Sequence, residues 1–240
     1  MASVVPTTRP RPGRRFEPIQ ELALRDAALE ACRCLPDAQA GLLVISEMTG
    51  PIGVPDFVAV VGDPGALNKR CCSSIPPLLN EVDAGVVAVS SDRVGRSERA
   101  LAERLGWPES TVARRLPSLL RVGAMIEVKP GRYVRAPELR PLGKLFAVEA
   151  KVRDANRALR QARCYNVWAD GYVLIMGPLS PGVRTRLCSE VRTDRAGLVV
   201  GGRWYARPRP RVGGAARQLW AAEHVVAALR GGRYQPSSVA

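Results

Sequence analysis

The sequence predicts an α/β fold with three layers and a helical unit inserted into it. Short β-rich runs alternate with helical runs in the first and last thirds of the 240-residue chain. Between them, from about Leu78 to Ala136, the pattern is helical and ends in a hairpin. Leaving that segment out gives the order helix, strand, strand, strand, helix, strand. This order, α-β-β-β-α-β, predicts a sheet covered by helices on both faces.

The first part of the chain predicts one helix and two strands. Ile19, Leu22 and Leu29 recur at helical spacing in "PIQELALRDAALEACRCL". The runs "AGLLVISEM" and "GVPDFVAVVG" lie on either side of the turn-forming "TGPIG" and predict a β-hairpin. The next stretch, "DPGALNKRCCSSIPP", has no periodicity from which an element can be predicted.

The middle part predicts a helix, a helix-turn-helix and a two-stranded hairpin. "LLNEVDAGVVAVSSD" is the first helix, and "SERALAERLGWPESTVARRLPSLLRVGA" contains the pair of helices, the first capped by Ser97. "MIEVKPGRYVRA" is the hairpin, with Pro130 and Gly131 at its tip. The helix pair followed at once by a basic hairpin indicates one compact unit.

The last part returns to alternating strands and helices. "KLFAVEAKV", "GYVLIMG" and "GLVVGG" predict strands, "RDANRALRQARCYNVWAD" and "PGVRTRLCSEVRTD" predict helices, and "RWYARPRPRVGG" predicts a basic link before a last helix, "AARQLWAAEHVVAALRG". The predicted divisions are a disordered basic arm (1–17), the first part of the core (18–70), the inserted unit (71–140), the second part of the core (141–203) and a linker with a C-terminal helix (204–240).

The charge balance predicts a polyanionic partner. Thirty-six Lys and Arg against 22 Asp and Glu give a net charge of +14, and nucleic acid is the simplest partner for such a chain. The predominance of arginine over lysine also fits the base composition of a high-GC bacterium. Six cysteines without paired CxxC spacing, together with a single histidine, give little support to a zinc site.

The absence of a signal peptide and of any apolar run near twenty residues predicts a cytoplasmic, nucleoid-associated protein without a membrane segment. In that compartment the six thiols are expected to be reduced.

The inserted unit resembles the winged helix-turn-helix of bacterial regulators, MarR-like ones among them, over residues 78–136. In such domains the second helix enters the major groove and the hairpin rests on the DNA backbone. The resemblance implies DNA contacts by residues on that helix and on the hairpin: Ser110, Thr111, Arg114, Arg115, Lys129, Arg132 and Arg135. The alternative is an ordinary helical subdomain with solvated arginines, and Pro117 inside the second helix favours it.

Three short motifs point to a carboxylate site. Glu149 and Lys151 in "VEAKV" share one strand face, Asp56 follows a proline at the start of an earlier strand, and "QARCY" places Gln161 and Tyr165 on one helix face. In this order they resemble the PD-(D/E)xK nuclease superfamily, in its RecB-like QxxxY variant, over residues 19–61 and 144–177. The resemblance implies a three-layer restriction-endonuclease-like core.

The resemblance also implies a role for each residue. Asp56 and Glu149 would hold Mg²⁺ (or Mn²⁺) with a backbone carbonyl near Ala150, and Lys151 would position the attacking water. Gln161 and Tyr165 would hold the phosphate or the water. Glu47 is a candidate third metal ligand, and Glu30 is a weaker one. The alternative is an ordinary Glu149–Lys151 ion pair, with Asp56 merely opening a strand.

The expected function is a Mg²⁺-dependent DNA endonuclease or junction resolvase whose winged helix holds duplex DNA. A transcription regulator on an inactive nuclease-like scaffold is the alternative, and a small-ligand sensor is a third possibility. Symmetric cutting needs two sites, which a homodimer through the C-terminal helix (Leu219, Val226, Leu229) would provide. That helix would equally well pack onto its own core.

Overall fold

The structure, a computed structural model, describes residues 3–6, 23–210 and 213–231. The chain is a mixed α/β protein, as predicted. Its strands are β1 (Ser3–Pro6), β2 (Leu42–Ser46), β3 (Phe57–Val61), β4 (Met125–Lys129), β5 (Arg132–Arg135), β6 (Lys144–Lys151), β7 (Gly171–Met176), β8 (Gly197–Val200) and β9 (Arg203–Ala206). Its helices are α1 (Arg25–Arg33), α2 (Pro64–Cys72), α3 (Glu81–Val89), α4 (Glu98–Leu105), α5 (Glu109–Arg121), α6 (Ala155–Tyr165), α7 (Pro181–Thr193) and α8 (Ala215–Gly231).

Seven strands form one open sheet in the order β1-β2-β3-β6-β7-β8-β9. β2, β3 and β6 are antiparallel neighbours, whereas β6, β7 and β8 run parallel. A helix connects each of these neighbouring parallel strands to the next, α6 between β6 and β7 and α7 between β7 and β8. The carboxyl ends of these three parallel strands therefore meet at one end of the sheet.

Helices cover both faces of the sheet. α6, α7 and α8 pack on the face that carries Ile45, Val58 and Ala147. α1 packs on the opposite face, against alternate residues such as Val44 and Phe146. The central strand β6 is buried on both faces from Leu145 to Lys151, which explains its nearly continuous apolar sequence.

Residues between β3 and β6 form a separate cluster of α3, α4 and α5 with the β4–β5 hairpin. Leu101 of α4 and Leu116 of α5 are buried in it, Ser97 caps α4 by accepting from the Ala100 N–H (3.3 Å), and Gly106 ends α4 at φ 68°. α5 runs through Pro117, which is exposed. An isolated bridge between Arg96 and Tyr133 ties the segment before α4 to the hairpin.

α8 joins this cluster to the sheet. Its Leu219 belongs to the apolar core of the helical cluster, whereas Val225 and Val226 belong to the core beneath the sheet. Arg70 of α2 and Glu223 of α8 form a fully buried bidentate ion pair, with Nε 2.8 Å from Oε1. Glu223 also accepts from the Leu78 N–H at 2.9 Å, which fixes the start of the helical segment to α8.

Three segments differ from the prediction. Ser3–Pro6, expected to be part of a disordered arm, pairs in parallel with β2 at the edge of the sheet; the rest of the predicted arm lies outside the described residues. Pro64–Cys72 forms α2, capped by Asp63, where no element was predicted. Arg203–Ala206, expected to be a link, forms β9, because the Gly201-Gly202 turn (φ 55° and 77°) closes a tight hairpin with β8.

No helix within the described ranges is long and apolar enough to cross a membrane. All six cysteines are free thiols. Cys32 is the most buried of them, and desolvation raises its pKa to about 12.

Candidate functional site

Asp56, Glu149 and Lys151 lie together where β3 begins and β6 ends. Phe57 pairs with Val148 in the antiparallel register, so Asp56 and Glu149 occupy the next row of the sheet. Glu149 and Lys151 alternate with Ala150, and therefore project from the α6 face. The sheet register, rather than proximity along the chain, brings the three side chains together.

The Lys151 ammonium stands between the two carboxylates. Its Nζ is 3.2 Å from Glu149 Oε1 and 4.0 Å from Asp56 Oδ2. Glu149 and Lys151 are only 2% and 4% exposed. Isolated charges at this depth would cost several kcal/mol each, so the pairing offsets a large desolvation penalty.

Asp56 is the solvent-facing member of the group. Its side chain is 29% exposed, and its Oδ2 accepts a hydrogen bond of 2.7 Å from the Ala150 N–H. This bond fixes the carboxylate to the backbone of β6, directly between Glu149 and Lys151. A molecule reaching the cluster from solvent meets Asp56 first.

Tyr165, at the end of α6, completes the cluster. Its hydroxyl donates to Glu149 Oε2 at 2.8 Å. Burial, and then the charge of Glu149, raise the pKa of the Tyr165 phenol well above its usual range. The phenol therefore stays protonated and acts as a hydrogen-bond donor, and each oxygen of Glu149 has a partner.

The loop between β2 and β3 covers Tyr165 and Trp168. The Trp168 indole donates to the Ile52 carbonyl at 3.0 Å. A Cβ added at Gly53 (φ 76°) would lie 3.0 Å from the Tyr165 ring, and one at Gly50 would lie 2.8 Å from Trp168. The sequence indicated only a turn here, and the contribution of Trp168 and the two glycines to the site was missed.

Gln161 and Glu47 take different positions relative to this cluster. Gln161 Oε1 is buried and accepts no hydrogen bond from the described residues, and no hydrogen bond links Gln161 to Asp56 or Glu149. Glu47 is exposed with φ 51°, and its N–H donates to the Asp56 carbonyl at 2.9 Å. Glu30 pairs with Arg33 on α1, on the other face of the sheet.

The described residues contain no group of three or more metal-ligating His, Cys, Asp or Glu side chains. Asp56 and Glu149 nevertheless present the hard oxygen donors that Mg²⁺ prefers, and Mg²⁺ is commonly bound by one or two carboxylates with water completing its shell. The donor chemistry therefore fits Mg²⁺ held by two carboxylates, and does not make an all-protein cage.

The predicted DNA-contact residues divide into exposed and paired ones. Ser110, Arg114, Lys129 and Arg132 are exposed, and Thr111 is half-exposed. Arg115, which we expected on the outer face, instead forms a bidentate pair with Asp83 of α3, at 2.6 Å for both contacts.

Arg135 is half-buried, with an Nε that has no hydrogen-bond partner among the described residues. The helical periodicity gave the direction of these side chains but not the acidic partner that α3 brings to Arg115.

Comparison with known proteins adds no relative: no family model, no curated protein and no solved structure matches this chain.

Proposed function

We propose that the chain is a Mg²⁺-dependent DNA phosphodiesterase of the PD-(D/E)xK type, with residues 78–136 acting as a winged helix-turn-helix that holds duplex DNA. The observation that carries the proposal is the contact between four residues: Asp56 directly before β3, Glu149 and Lys151 of β6, and Tyr165 of α6. An ordinary surface ion pair needs neither burial nor a third and fourth polar partner.

The arrangement of the elements supports the proposal. From α1 to β7, and leaving out α2 to β5, the order is α1-β2-β3-β6-α6-β7, with three antiparallel strands and a fourth parallel to the third. This is the order that the motif resemblance implies. The motif residues lie at the strand ends and on the α6 face, where one side of the sheet opens to solvent through Asp56.

Each side chain has a task in phosphodiester hydrolysis. Mg²⁺ bound by Asp56 and Glu149 would supply Lewis acidity and a water of lowered pKa. The Lys151 ammonium offsets the negative charge that grows on the phosphate oxygens. Tyr165 holds Glu149 in one orientation and is a positioning residue.

The helical cluster supports the DNA-binding half of the proposal. Arg114 on α5 and Lys129 and Arg132 on the hairpin are exposed, and no ion pair to a carboxylate engages them within the described residues. Arg115 has a different task, because its pair with Asp83 holds α5 against α3.

The test is nicking of supercoiled plasmid and of branched DNA with Mg²⁺, Mn²⁺ or EDTA. We expect metal-dependent cutting by the wild type and none by Glu149→Gln, which keeps the shape of the side chain. Glu138→Gln, at an exposed position, is the matched control and should cut normally. Equal cutting by both variants would refute the proposed site.

A transcription regulator on a nuclease-like scaffold is the second candidate. One observation favours it: Lys151 contacts one oxygen of Glu149 and Tyr165 contacts the other. A carboxylate paired in this way also serves as a purely structural group. A regulator should bind a palindromic operator in EDTA and keep that affinity in the Glu149→Gln variant. Sequence-specific binding without cutting in any metal would decide for it.

A further inference from the structure

A row of the sheet links Lys151 to the outer edge strand. Lys151 pairs with Met176, Met176 with Val200, and Val200 with Arg203. Since residues in one row project from the same face, Arg203 shares the face of Lys151. Three strand spacings of about 4.8 Å separate them, a distance of about 14 Å.

An open cavity of about 310 Å³ lies at this end of the sheet, between the starts of α6 and α7. Arg153 and Arg186 line it, and Arg186 donates to Asn156 Oδ1 at 3.0 Å. Val152, which directly follows Lys151, lines the cavity as well. The cavity therefore lies next to the end of β6 that carries Lys151.

Two more arginines surround Tyr205 on β9. The Arg184 guanidinium of α7 lies 5.0 Å from the centre of the Tyr205 ring, and that of Arg203 lies 5.9 Å from it. A guanidinium placed over an aromatic ring keeps its in-plane N–H groups directed outwards, which suits bidentate contact with phosphate oxygens. Tyr205 thus orients these groups without neutralising them.

The four residues Arg153, Arg184, Arg186 and Arg203 are named here the edge arginines. Within the described part of the chain, none of them forms an ion pair with a carboxylate. Asp154, the acidic residue of the cavity lining, accepts from the Arg157 N–H at 3.0 Å as the cap of α6. Four arginines without acidic partners at this end of the sheet give a strongly positive potential.

We propose that the edge arginines form a track for the phosphate backbone of a nucleic acid, leading from the carboxylate–lysine cluster to β9. The position of the cut relative to the track rests on the proposed function. Binding to the track depends only on the positive charge of the edge arginines. At about 3.4 Å of axis per phosphate of one strand, 14 Å corresponds to about four nucleotides beside the cut. The contacts are to phosphate and carry no base specificity.

The test compares two charge-matched double variants. Arg184→Gln with Arg203→Gln removes two edge arginines, and Arg25→Gln with Arg33→Gln removes two exposed arginines of α1 on the other face. Binding of a labelled duplex of mixed sequence is titrated in EDTA between about 50 and 200 mM salt. The first variant should reduce the slope of log K against log salt by about 1.8, and the second should leave it unchanged.

The outcomes separate the track from the nuclease. Equal slopes for the two variants would overturn the track, even if Glu149→Gln abolishes cutting. A smaller slope for the edge variant alone supports the track, even if no metal supports cutting. The track would also be overturned if the edge variant bound DNA as the wild type does but lost binding to anionic lipid vesicles, because the surface would then face a membrane.

Discussion

Lys151 is a buried cation between two carboxylates, and its removal has two separable effects. In Lys151→Met, Glu149 keeps its charge and loses the cation that is paired with it, so we expect the free energy of unfolding to fall by about 3–5 kcal/mol. We expect the cleavage rate to fall at least about a hundredfold, as when one donor to a developing anion is lost. Denaturant titration and plasmid nicking measure the two effects.

A double variant distinguishes catalysis from stability. Glu149→Gln combined with Lys151→Met removes both charges and should recover most of the lost stability, because no unpaired charge then remains buried. Its cleavage should stay absent. If the double variant regained cleavage along with stability, neither Glu149 nor Lys151 would have a catalytic role.

Tyr165 acts on Glu149 through one hydrogen bond. We expect Tyr165→Phe to lower the free energy of unfolding by about 1–3 kcal/mol, since one Glu149 oxygen loses its donor. Cleavage should fall about 10- to 100-fold, as is typical of residues that orient a metal-binding group. Tyr172→Phe is the matched control, because Tyr172 also donates to a carboxylate, that of Asp194, and should affect stability alone. Equal losses of cleavage in both variants would contradict the positioning role.

Among elements, α5 carries two adjacent arginines with different tasks. Arg114 is exposed, whereas Arg115 joins α5 to Asp83 of α3. We expect Arg114→Gln to reduce the salt slope of DNA binding by about 0.9 without changing thermal stability. Arg115→Gln should lower stability by about 1 kcal/mol, since the pair is partly exposed, and should leave the slope alone. If Arg115→Gln reduced the salt slope and Arg114→Gln lowered stability, Arg115 rather than Arg114 would contact the DNA.

Elements with a strong local signal were predicted well. The hairpin β4–β5 lies where "MIEVKPGRYVRA" indicated, with Gly131 at φ 67° in its turn, and β6 covers most of "KLFAVEAKV". β9 was missed because prolines and arginines dominate the segment, although its pairing depends on the Gly201-Gly202 turn. Tertiary pairing overrode a sequence typical of a linker.

The candidate site was predictable where it depends on strand period and helix spacing, and not where it depends on side-chain reach. The alternation of β6 placed Glu149 and Lys151 on one face, and Tyr165 indeed contacts Glu149. Gln161 shares the helix with Tyr165, but its Oε1 is left without a hydrogen-bond partner among the described residues. The Arg70–Glu223 pair, 153 positions apart, has no local pattern at all.

At the scale of the whole molecule, the Arg70–Glu223 pair fixes the sheet and the helical cluster to α8. We expect Glu223→Ala to lower the free energy of unfolding by about 3–5 kcal/mol, because Arg70 is left charged and buried. The Leu78 N–H also loses its acceptor. The exposed pair of Arg99 and Glu103 provides the control, since Glu103→Ala should cost less than about 1 kcal/mol. If Glu223→Ala lowered the free energy of unfolding no more than Glu103→Ala does, the buried pair would be dispensable for stability.

His224, the single histidine, gives the folded chain a dependence on pH. Burial lowers the pKa of its imidazole below the ordinary value of 6.5, so the unfolded chain binds a proton that the folded chain excludes. The contribution of the neutral His224 imidazole to the free energy of unfolding is therefore complete above pH 6.5. This contribution is lost as the pH falls from there through the lower pKa of the folded chain. We expect melting temperatures to fall over this range in the wild type and to fall less in His224→Gln. Parallel curves would contradict this assignment.

The position of α8 also determines when the molecule is able to fold. The helix covers apolar surface on both the sheet and the helical cluster, yet it is synthesised after both. Until residues 215–231 emerge from the ribosome, each of these surfaces is exposed to water, and nothing joins them through Arg70 and Glu223. Nascent chains therefore expose this apolar surface to chaperones and to aggregation until α8 is made. Docking of the sheet and the helical cluster onto each other through α8 has to wait until that helix is made.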